Sequence, residues 1–324
     1  MLNRRAQGVT AARLRWFRDN VPAGDLFVPD DVADTQATVA AIAARGFDVL
    51  CIGGGDGTFM LAAAALIAHA PGRMPALLPL RLGTGNAIHD ACGSAPPTPL
   101  GLSRDLARAA DPDERPSPLR LLEVDGRPTH FAGVGLDADW AADYAWLIKR
   151  RLGAGALLPL VRGAPGYAIT ALTLTLPRLF RRPTLPIKIV ALGPAARLDD
   201  SGRPAQQFSP GETLYEGQMT MASASTVVSY SAGLRYFRHA DALGDAFELK
   251  IALASAAGVV RHARRLLDGA PDPARILDFA ARDIAIELPA PARYHIGGDV
   301  LPPSRGFTVA MSRHEVPVLR PARA

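Results

Sequence analysis

The stretch Gly53-Gly54-Gly55-Asp56-Gly57-Thr58 decides the fold that this sequence predicts. It follows a short apolar run that ends at Ile52, and it leads into a longer apolar run over residues 59–67. This order of segments predicts a buried strand, a tight loop and a helix. Glycine leaves the backbone open to a close ligand, and the N–H groups at a helix N-terminus attract anions. The loop is therefore a candidate phosphate site.

Asp56 is the carboxylate inside this loop. Because a carboxylate repels a phosphate placed beside it, Asp56 needs an explanation of its own. Three explanations stay open at this point: Asp56 binds a metal, anchors the loop, or accepts a proton. A single glycine cluster does not distinguish a ligand site from an ordinary turn.

A second glycine loop, Gly83-Thr84-Gly85-Asn86, follows another short apolar run and opens a predicted helix at Ala87. Two strand–loop–helix units about 30 residues apart have the spacing of consecutive units in a doubly wound sheet. Upstream of them, apolar spacing predicts a helix over residues 10–20, a strand over 25–28 and a helix over 34–44 that is capped by Asp34 or Thr35. The N-terminal part is therefore predicted to be a doubly wound α/β domain.

Taken together, GGGDGT (residues 53–58) and PLRLGTGN (residues 79–86) resemble the diacylglycerol kinase catalytic domain family, which includes sphingosine, ceramide and bacterial lipid kinases. GGDGT alone is shared with NAD kinases, and the GTGN partner at this distance favours the lipid kinases. The resemblance is strong over residues 40–95 and continues as scattered motifs along the chain. It implies an ATP-dependent kinase that transfers the γ-phosphate to a lipid hydroxyl, with ATP and Mg²⁺ as cofactors.

The resemblance also implies roles for individual residues of the N-terminal part. Asp56 is implied as a catalytic residue and as the metal ligand. Asn3 matches the asparagine that begins the family's first phosphate loop, although the rest of that loop is absent here. The implied nucleotide-binding residues are Asn3, Gly53, Gly54, Gly55, Gly57, Thr58, Gly83, Thr84, Gly85 and Asn86.

A charged, proline-rich linker over residues 111–118 marks a predicted boundary. Beyond it, short strand-like runs with turn signals predict a β-sandwich, which begins with a hairpin through the Asp125-Gly126 turn and is interrupted by a helix over residues 256–267. The fold class is thus α/β plus all-β. The predicted domains are 1–117 for nucleotide, 118–303 for the lipid substrate, and 304–324 as a segment that returns to the first domain.

Three acidic residues of the second domain are candidates for the substrate side. Asp137 and, second, Asp139 match a family segment near the lipid head group, and a helix-capping aspartate is an equally good explanation. The family's Asp-Gly-Glu motif near the C-terminus corresponds to Gly297-Gly298-Asp299. One carboxylate of the motif is therefore missing, and Asp299 is the remaining catalytic candidate. The resemblance implies that Asp299 or Asp56 accepts the hydroxyl proton.

Charge and apolar patterns indicate which partners and which cellular location to expect. The net charge of +5 suits an anionic membrane or nucleotide phosphates. Aromatic and aliphatic residues over 140–161 adjoin the basic run Lys149-Arg150-Arg151, which predicts a peripheral membrane contact, with a packed helix as the alternative. Cys51 and Cys92 are predicted to be buried free thiols. No membrane span or signal peptide is predicted, so we expect a cytoplasmic protein, peripheral at the inner face of the membrane. We expect a lipid alcohol as substrate and no nucleic acid, with a homo-oligomer left open.

Two other functions stay open. A nucleotide- or lipid-binding relative with little or no turnover fits the altered first loop and Gly297. An NAD kinase fits GGDGT but not its pairing with GTGN. The order that the sequence favours is lipid kinase, then binding protein, then NAD kinase.

Overall fold

A computed structural model of the chain describes residues 1–69, 72–147, 164–181, 184–230, 234–253 and 276–320. The chain divides into two units. The first is Met1–Arg120 with Ser231–Gly233 and Arg313–Ala324, and the second is Leu121–Tyr230 with Leu234–Ser312. The domain limits predicted from the sequence differ from these units at their edges, and as functional domains they stay predictions.

The first unit is an α/β unit. Strands β1 (Val49–Gly54) and β2 (Ala76–Arg81) pair in parallel, and the end of the last strand joins β2 where Val318 pairs with Leu77. Leu2 extends this sheet through a parallel bridge to Gly53. The helices are α1 (Ala11–Asn20), α2 (Val32–Arg45), α3 (Asp56–His69), α4 (Ala87–Ala91) and α5 (Pro99–Ala110).

Local chemistry explains two differences from the predicted elements. The N-cap of α2 is Asp31, whose side chain accepts the N–H of Asp34, so the predicted caps Asp34 and Thr35 were wrong by one turn. The predicted strand over residues 25–28 was also wrong, since a short 3₁₀ turn (Ala23–Asp25) is followed by chain outside any strand. Phe27 there accepts one backbone hydrogen bond, from Leu2, which does not make a ladder.

The second unit is built mainly of antiparallel strands. The predicted hairpin forms through the Asp125-Gly126 turn, where residues 122–124 pair with residues 127–129. Residues 131–135 form a separate strand, which pairs with residues 221–225 and with residues 294–296. The strands are β3 (Pro116–Val124), β4 (Arg127–Thr129), β5 (Phe131–Gly135), β6 (Leu185–Ala191), β7 (Ala195–Leu198), β8 (Pro204–Phe208), β9 (Thr213–Met219), β10 (Met221–Ser225), β11 (Phe247–Ala252), β12 (Ile276–Ala281), β13 (Asp283–Ile296) and β14 (Asp299–Leu319).

Helices of the second unit follow β5. They are α6 (Leu136–Tyr144), α7 (Ala164–Thr170), a π-helical turn (Ala171–Thr175) and α8 (Leu176–Arg181). Among the described residues, no helix is long and apolar enough to cross a membrane. The basic run at 149–151, most of the predicted membrane segment and the predicted helix over 256–267 lie outside the described residues.

The two faces of the second unit's sheet differ in chemistry. One face carries apolar side chains such as Val134, Ala222 and Leu249, which belong to the main core cluster. Residues that alternate with them along the same strands include Ser223 and Lys250, and these are buried as well. The predicted class, α/β plus all-β, is confirmed, but the second unit has a buried polar face that a simple sandwich core lacks.

Candidate functional site

The two glycine loops of the first unit lie side by side. Strands β1 and β2 are in parallel register from the pair Val49 and Ala76 to the pair Gly54 and Arg81. Parallel strands end at the same edge of a sheet, so both loops leave from that edge. Each loop leads directly into a helix, α3 after the first and α4 after the second.

Asp56 fastens the second loop to the first. Its Oδ2 accepts the backbone N–H of Ala87 at 2.9 Å, and its Oδ1 accepts that of Ile88 at 3.0 Å. The Nδ1 atom of His89 lies 3.3 Å from the same Oδ1. The backbone N–H of Asp56 in turn donates to the carbonyl of Gly85 at 3.3 Å. The carboxylate is thus an internal anion at the start of α4, where the unpaired N–H groups and the helix dipole favour negative charge.

These hydrogen bonds explain the presence of the Asp56 carboxylate in a candidate phosphate loop. Asp56 supplies the anion at the start of α4, so an external anion would approach the exposed Gly57 in the first turn of α3 instead. Both oxygens of Asp56 already accept a backbone hydrogen bond, which does not suit a direct Mg²⁺ ligand that needs free, octahedrally placed oxygens. Its metal role stays a prediction.

Glycines are required where the loops touch. A Cβ on Gly83 would overlap the Cα and N of Gly55, and a Cβ on Gly55 would lie 3.1 Å from the carbonyl oxygen of Gly85. A Cβ on Gly54 would lie 2.5 Å from Oγ1 of Thr58. A Cβ on Gly53 would overlap the side chain of Leu2. Packing against backbone at Gly83 and Gly55, and against side chains at Gly53 and Gly54, therefore explains these glycines without any ligand.

Gly57 differs from its neighbours. It lies in the first turn of α3 and is exposed, and a Cβ added to it would meet no protein atom within 4 Å. Glycine in a helix is less stable than alanine by up to about 1 kcal/mol. A glycine that packing does not require, at a helix N-terminus open to solvent, is the position where a ligand would approach the backbone.

Asn3 and Thr58 connect the N-terminal segment to the same loop. Nδ2 of Asn3 donates to Oγ1 of Thr58 at 2.8 Å, and Oδ1 of Asn3 accepts the N–H of Arg5 at 2.9 Å. The backbone N–H of Asn3 donates to the carbonyl of Gly53. The structure therefore places Asn3, which was predicted from the incomplete first phosphate loop, beside the loop of residues 53–58.

One polar atom of the second loop has no protein partner. Nδ2 of Asn86 donates to the carbonyl of Gly83 at 3.2 Å, whereas its buried Oδ1 has no hydrogen-bond partner within the described residues. Buried polar atoms are nearly always paired, so an unpaired acceptor here suits a ligand donor or water. Thr84 and Gly85 lie in the same loop and are partly exposed. The structure thus brings all predicted nucleotide-binding residues together in the first unit.

Asp137 lies in the second unit, buried in a cluster of polar side chains. Its Oδ2 is 2.9 Å from Nε2 of His295 and accepts a hydrogen bond of 2.5 Å from Oγ of Ser223. Its Oδ1 accepts the hydroxyl of Tyr230. The backbone N of Gly298 lies 3.3 Å from Nδ1 of His295, so Nε2 is the ring nitrogen that faces Asp137.

These contacts keep Asp137 ionised. Burial alone would raise its pKa, but the charge of His295 and the hydrogen bonds from His295, Ser223 and Tyr230 outweigh burial and hold the pKa of Asp137 below its ordinary value. Burial, and then the charge of Asp137, raise the pKa of Tyr230 well above its ordinary range. Gly133 makes room for this cluster, because a Cβ there would overlap Asp137. The substrate role of Asp137 stays a prediction.

The cluster is part of a polar row that crosses five strands. His295 pairs with Gly133, Gly133 with Ser223, Ser223 with Lys250, and Lys250 with Asp278. Ser223, Lys250 and Asp278 were not predicted as site residues from the sequence. Their signal was polar residues at every second position of otherwise apolar strands, as in Phe247-Glu248-Leu249-Lys250-Ile251.

The far end of the row holds a buried lysine. Nζ of Lys250 is 2.6 Å from Asp278 and 3.0 Å from Glu248. Burial raises the pKa of Glu248, and the charge of Lys250 opposes this. With His239, these two carboxylates are the group of candidate metal ligands in the described chain, but the lysine ammonium already lies between the carboxylates. A metal is therefore not needed to balance their charge.

The other two acidic candidates are more accessible. Asp139 is 3.9 Å from Arg293, and burial raises its pKa although Arg178 and Arg293 lower it. Asp299 is exposed and follows the turn between β13 and β14, where Gly297 and Gly298 have positive φ angles of 59° and 89°. Such a tight turn favours glycine at both positions. The turn geometry accounts for Gly297 independently of any lost carboxylate.

One known protein family matches part of the first unit. Residues 18–111 match the diacylglycerol kinase catalytic domain. The resemblance stated from the sequence is therefore confirmed for the diacylglycerol kinase domain, which lies within the first unit and contains both glycine loops. A search of curated proteins found no significant match.

Solved structures support the fold over the whole chain. A crystal structure of a diacylglycerol kinase from Bacillus anthracis str. Sterne has 14% identity and a TM-score of 0.62, covering 99% of this chain and 95% of that one. A second structure from that organism, named for the same kinase, has 16% identity and a TM-score of 0.64, with 99% and 95% covered. An NAD kinase from Archaeoglobus fulgidus in complex with ATP reaches a TM-score of 0.47 at 10% identity, covering 96% and 90%, which is too low to carry an argument.

Proposed function

We propose that the chain is a kinase that transfers the γ-phosphate of ATP to the hydroxyl of a lipid alcohol. The observation that carries this proposal is the first turn of α3, where Gly57 is exposed and a Cβ on it would meet no protein atom within 4 Å, while the Asp56 carboxylate binds the start of α4 instead. The diacylglycerol kinase domain match gives the reaction class. The lipid nature of the acceptor rests on that family alone.

The residues present fit ATP. At the start of α3 the N–H groups of Asp56, Thr58 and Phe59 donate to carbonyls of Gly85 and Gly55, so Gly57 is the position at which the backbone would bind a phosphate, and Asn3 with Thr58 borders that position. Oδ1 of Asn86 offers an acceptor for a donor group of the nucleotide or its water shell. Phosphate transfer needs mainly positioning and charge stabilisation from the protein. When Mg²⁺ accompanies ATP, it neutralises phosphate charge.

The chemical step balances as a direct transfer. The acceptor hydroxyl oxygen forms a bond to the γ-phosphorus, the bond to the β-phosphate oxygen breaks, and ADP leaves with that electron pair. The hydroxyl proton passes to a carboxylate. Asp299 is the better candidate base, because it is exposed, whereas both oxygens of Asp56 accept hydrogen bonds from α4.

Incubating the purified chain with radiolabelled ATP and total extracted lipid tests this function. We expect label in a chloroform-soluble product, and identification of that product names the acceptor. The other function, a binding protein without turnover, fits the glycine at position 297, where the resembling family has a carboxylate. ATP binding by calorimetry together with no labelled lipid would support that function and exclude the kinase.

Replacing Gly57 tests whether this glycine is needed for ATP binding or only for the fold. Gly57→Ala is expected to raise the free energy of unfolding by about 0.5–1 kcal/mol, because alanine is favoured in a helix. It is expected to weaken ATP binding roughly tenfold or more, because the methyl group projects where phosphate would approach. Chemical denaturation and calorimetric titration measure the two effects. Gly24→Ala, also in open space, is the matched control and should leave ATP affinity unchanged. Unchanged ATP affinity in Gly57→Ala would exclude this site.

Asp299→Ala tests the proposed base. We expect kcat to fall by roughly a hundredfold with little change in ATP affinity, which is the signature of a group that acts in the chemical step. Asp200→Ala removes another exposed aspartate of the second unit and should keep kcat. An Asp299→Ala enzyme with wild-type kcat would remove Asp299 from the mechanism.

A further inference from the structure

Three large apolar side chains are exposed on one helical segment of the second unit. They are Ile169, Leu172 and Phe180, with 37%, 68% and 59% of their surface exposed. The segment comprises α7, the π-helical turn and α8. We call these three residues the apolar helix face. Clustered exposed apolar residues mark a surface that has an apolar partner.

The opposite side of this segment is fixed to α6. Nε1 of Trp140 donates to the carbonyl of Tyr167 at 2.9 Å, and the rings of Tyr144 and Tyr167 stack with centroids 3.9 Å apart. Asp143 accepts hydrogen bonds from Thr175 at 3.0 Å and from Arg178 at 2.7 Å. The exposure of the apolar helix face is therefore held in place by specific contacts.

Two polar side chains of this segment, Thr173 and Arg178, already have partners within the protein. Thr173 is exposed, yet its Oγ1 donates to the carbonyl of Ile169 at 2.8 Å. Arg178 is paired with Asp143. A hydroxyl bonded to its own helix does not need water, and this arrangement suits an environment of low polarity.

Charge identifies the chemistry of the partner. Residues 144–198 contain nine of the 36 basic residues of the chain and none of its 31 acidic residues. The rest of the chain has 27 basic and 31 acidic residues, so the whole positive excess belongs to this stretch. A stretch of sequence that combines an exposed apolar helix with an excess of basic residues is typical of a helix that lies on an anionic bilayer.

We propose that the apolar helix face inserts into the interface of an anionic lipid bilayer. The proposal deepens the proposed function, on which it rests for its purpose, because a lipid alcohol acceptor resides in a bilayer. A nucleic acid would attract the same charges but offers no apolar interior for Leu172 and Phe180. A second copy of the chain would bring two basic stretches together.

Vesicle sedimentation with the full chain tests the proposal without ATP. We expect binding to mixed phosphatidylglycerol and phosphatidylcholine vesicles, weaker binding to phosphatidylcholine alone, and release by added salt. The double change Leu172→Gln with Phe180→Gln should weaken binding roughly tenfold or more, because two apolar side chains no longer enter the bilayer. Leu100→Gln, which alters an exposed leucine of the first unit, should bind as the wild type does.

Several outcomes would overturn the proposal. These are no binding of the wild type to anionic vesicles, equal binding by the double variant, or displacement of the chain from vesicles by a homopolymeric RNA with retention on that RNA. Loss of a wild-type dimer in the double variant, without vesicle binding, would assign the face to self-association instead. Leu172→Gln alone, with a smaller expected loss, keeps the test decisive if the double variant does not fold.

A separate measurement distinguishes failure of this proposal from failure of the kinase function. Phosphate transfer by the wild type is measured with a short-chain diacylglycerol that stays monomeric in water. Absence of product there contradicts the proposed function and leaves the vesicle result unaffected. Product there with no vesicle binding contradicts the membrane proposal and leaves the kinase intact.

Discussion

Asp56→Asn is expected to lower phosphate transfer at least about a hundredfold. The amide has one acceptor oxygen, so it satisfies the N–H of Ala87 or that of Ile88, but not both. The buried donor that is left unpaired costs about 1–3 kcal/mol of stability, and the second loop loses its fixed position beside the first. Initial rates of transfer and urea unfolding measure the two effects.

The kinetic pattern then assigns the role of Asp56. A loss of ATP affinity with kcat retained would indicate an anchor, and a loss of kcat at full ATP affinity would indicate acid–base chemistry. Asp90→Asn is the matched control, because it removes a carboxylate from the same short helix, where Asp90 pairs with Arg81 at 2.6 Å. If Asp56→Asn transferred phosphate at the wild-type rate, Asp56 would be needed neither as a loop anchor nor for acid–base chemistry.

His295→Leu is expected to lower the free energy of unfolding by about 3–5 kcal/mol, the typical cost of removing one partner of a buried ion pair. It leaves the Asp137 carboxylate buried with Ser223 and Tyr230 but without its basic partner. His69→Leu, at the exposed end of α3, should change stability little. Urea denaturation of both variants checks the expectation. A loss no larger than that of His69→Leu would contradict the buried pair.

The pH dependence of stability provides a second readout of the same pair. The pKa of Asp137 is lowered in the folded protein, so its contribution is complete above the ordinary aspartate value of about 4 and is lost as pH falls through the folded pKa. In His295→Leu the buried carboxylate lacks that support. The difference in stability between variant and wild type should therefore narrow as pH falls below about 4. A constant difference at all pH values would mean that the effect of His295 is packing alone.

Much of the first unit was predictable because its signals are local. Glycine loops between apolar runs, an N-terminal threonine before α1 and a glycine at the end of α2 each act within a few residues. The cap of α2 was misassigned because Asp31, Asp34 and Thr35 are all good caps, and the structure selects Asp31. Which of several neighbouring residues becomes the N-cap depends on the path of the chain before the helix, and local helix propensity carries no information about that path.

The buried polar row was not predictable in the same way. Asp137 is 158 positions before His295 and 86 before Ser223, and the register of β13, β5 and β10 brings them together. Asp137 was selected through family resemblance, but its partners were not. Likewise, the explanation that Asp56 anchors a loop was one of three open from the sequence, and the N–H groups of Ala87 and Ile88 favour it.

The contact between Gly55 and Gly83 has a consequence for how these motifs evolve. A Cβ on Gly83 would overlap backbone atoms of Gly55, so no change of side chain elsewhere makes room for it, whereas at Gly53 and Gly54 the nearest atoms belong to the side chains of Leu2 and Thr58. Under selection for folding alone, Gly83 would remain fixed while Gly57 drifted. A descendant that had lost its ligand would thus keep Gly83, and the residue at position 57 would record the loss.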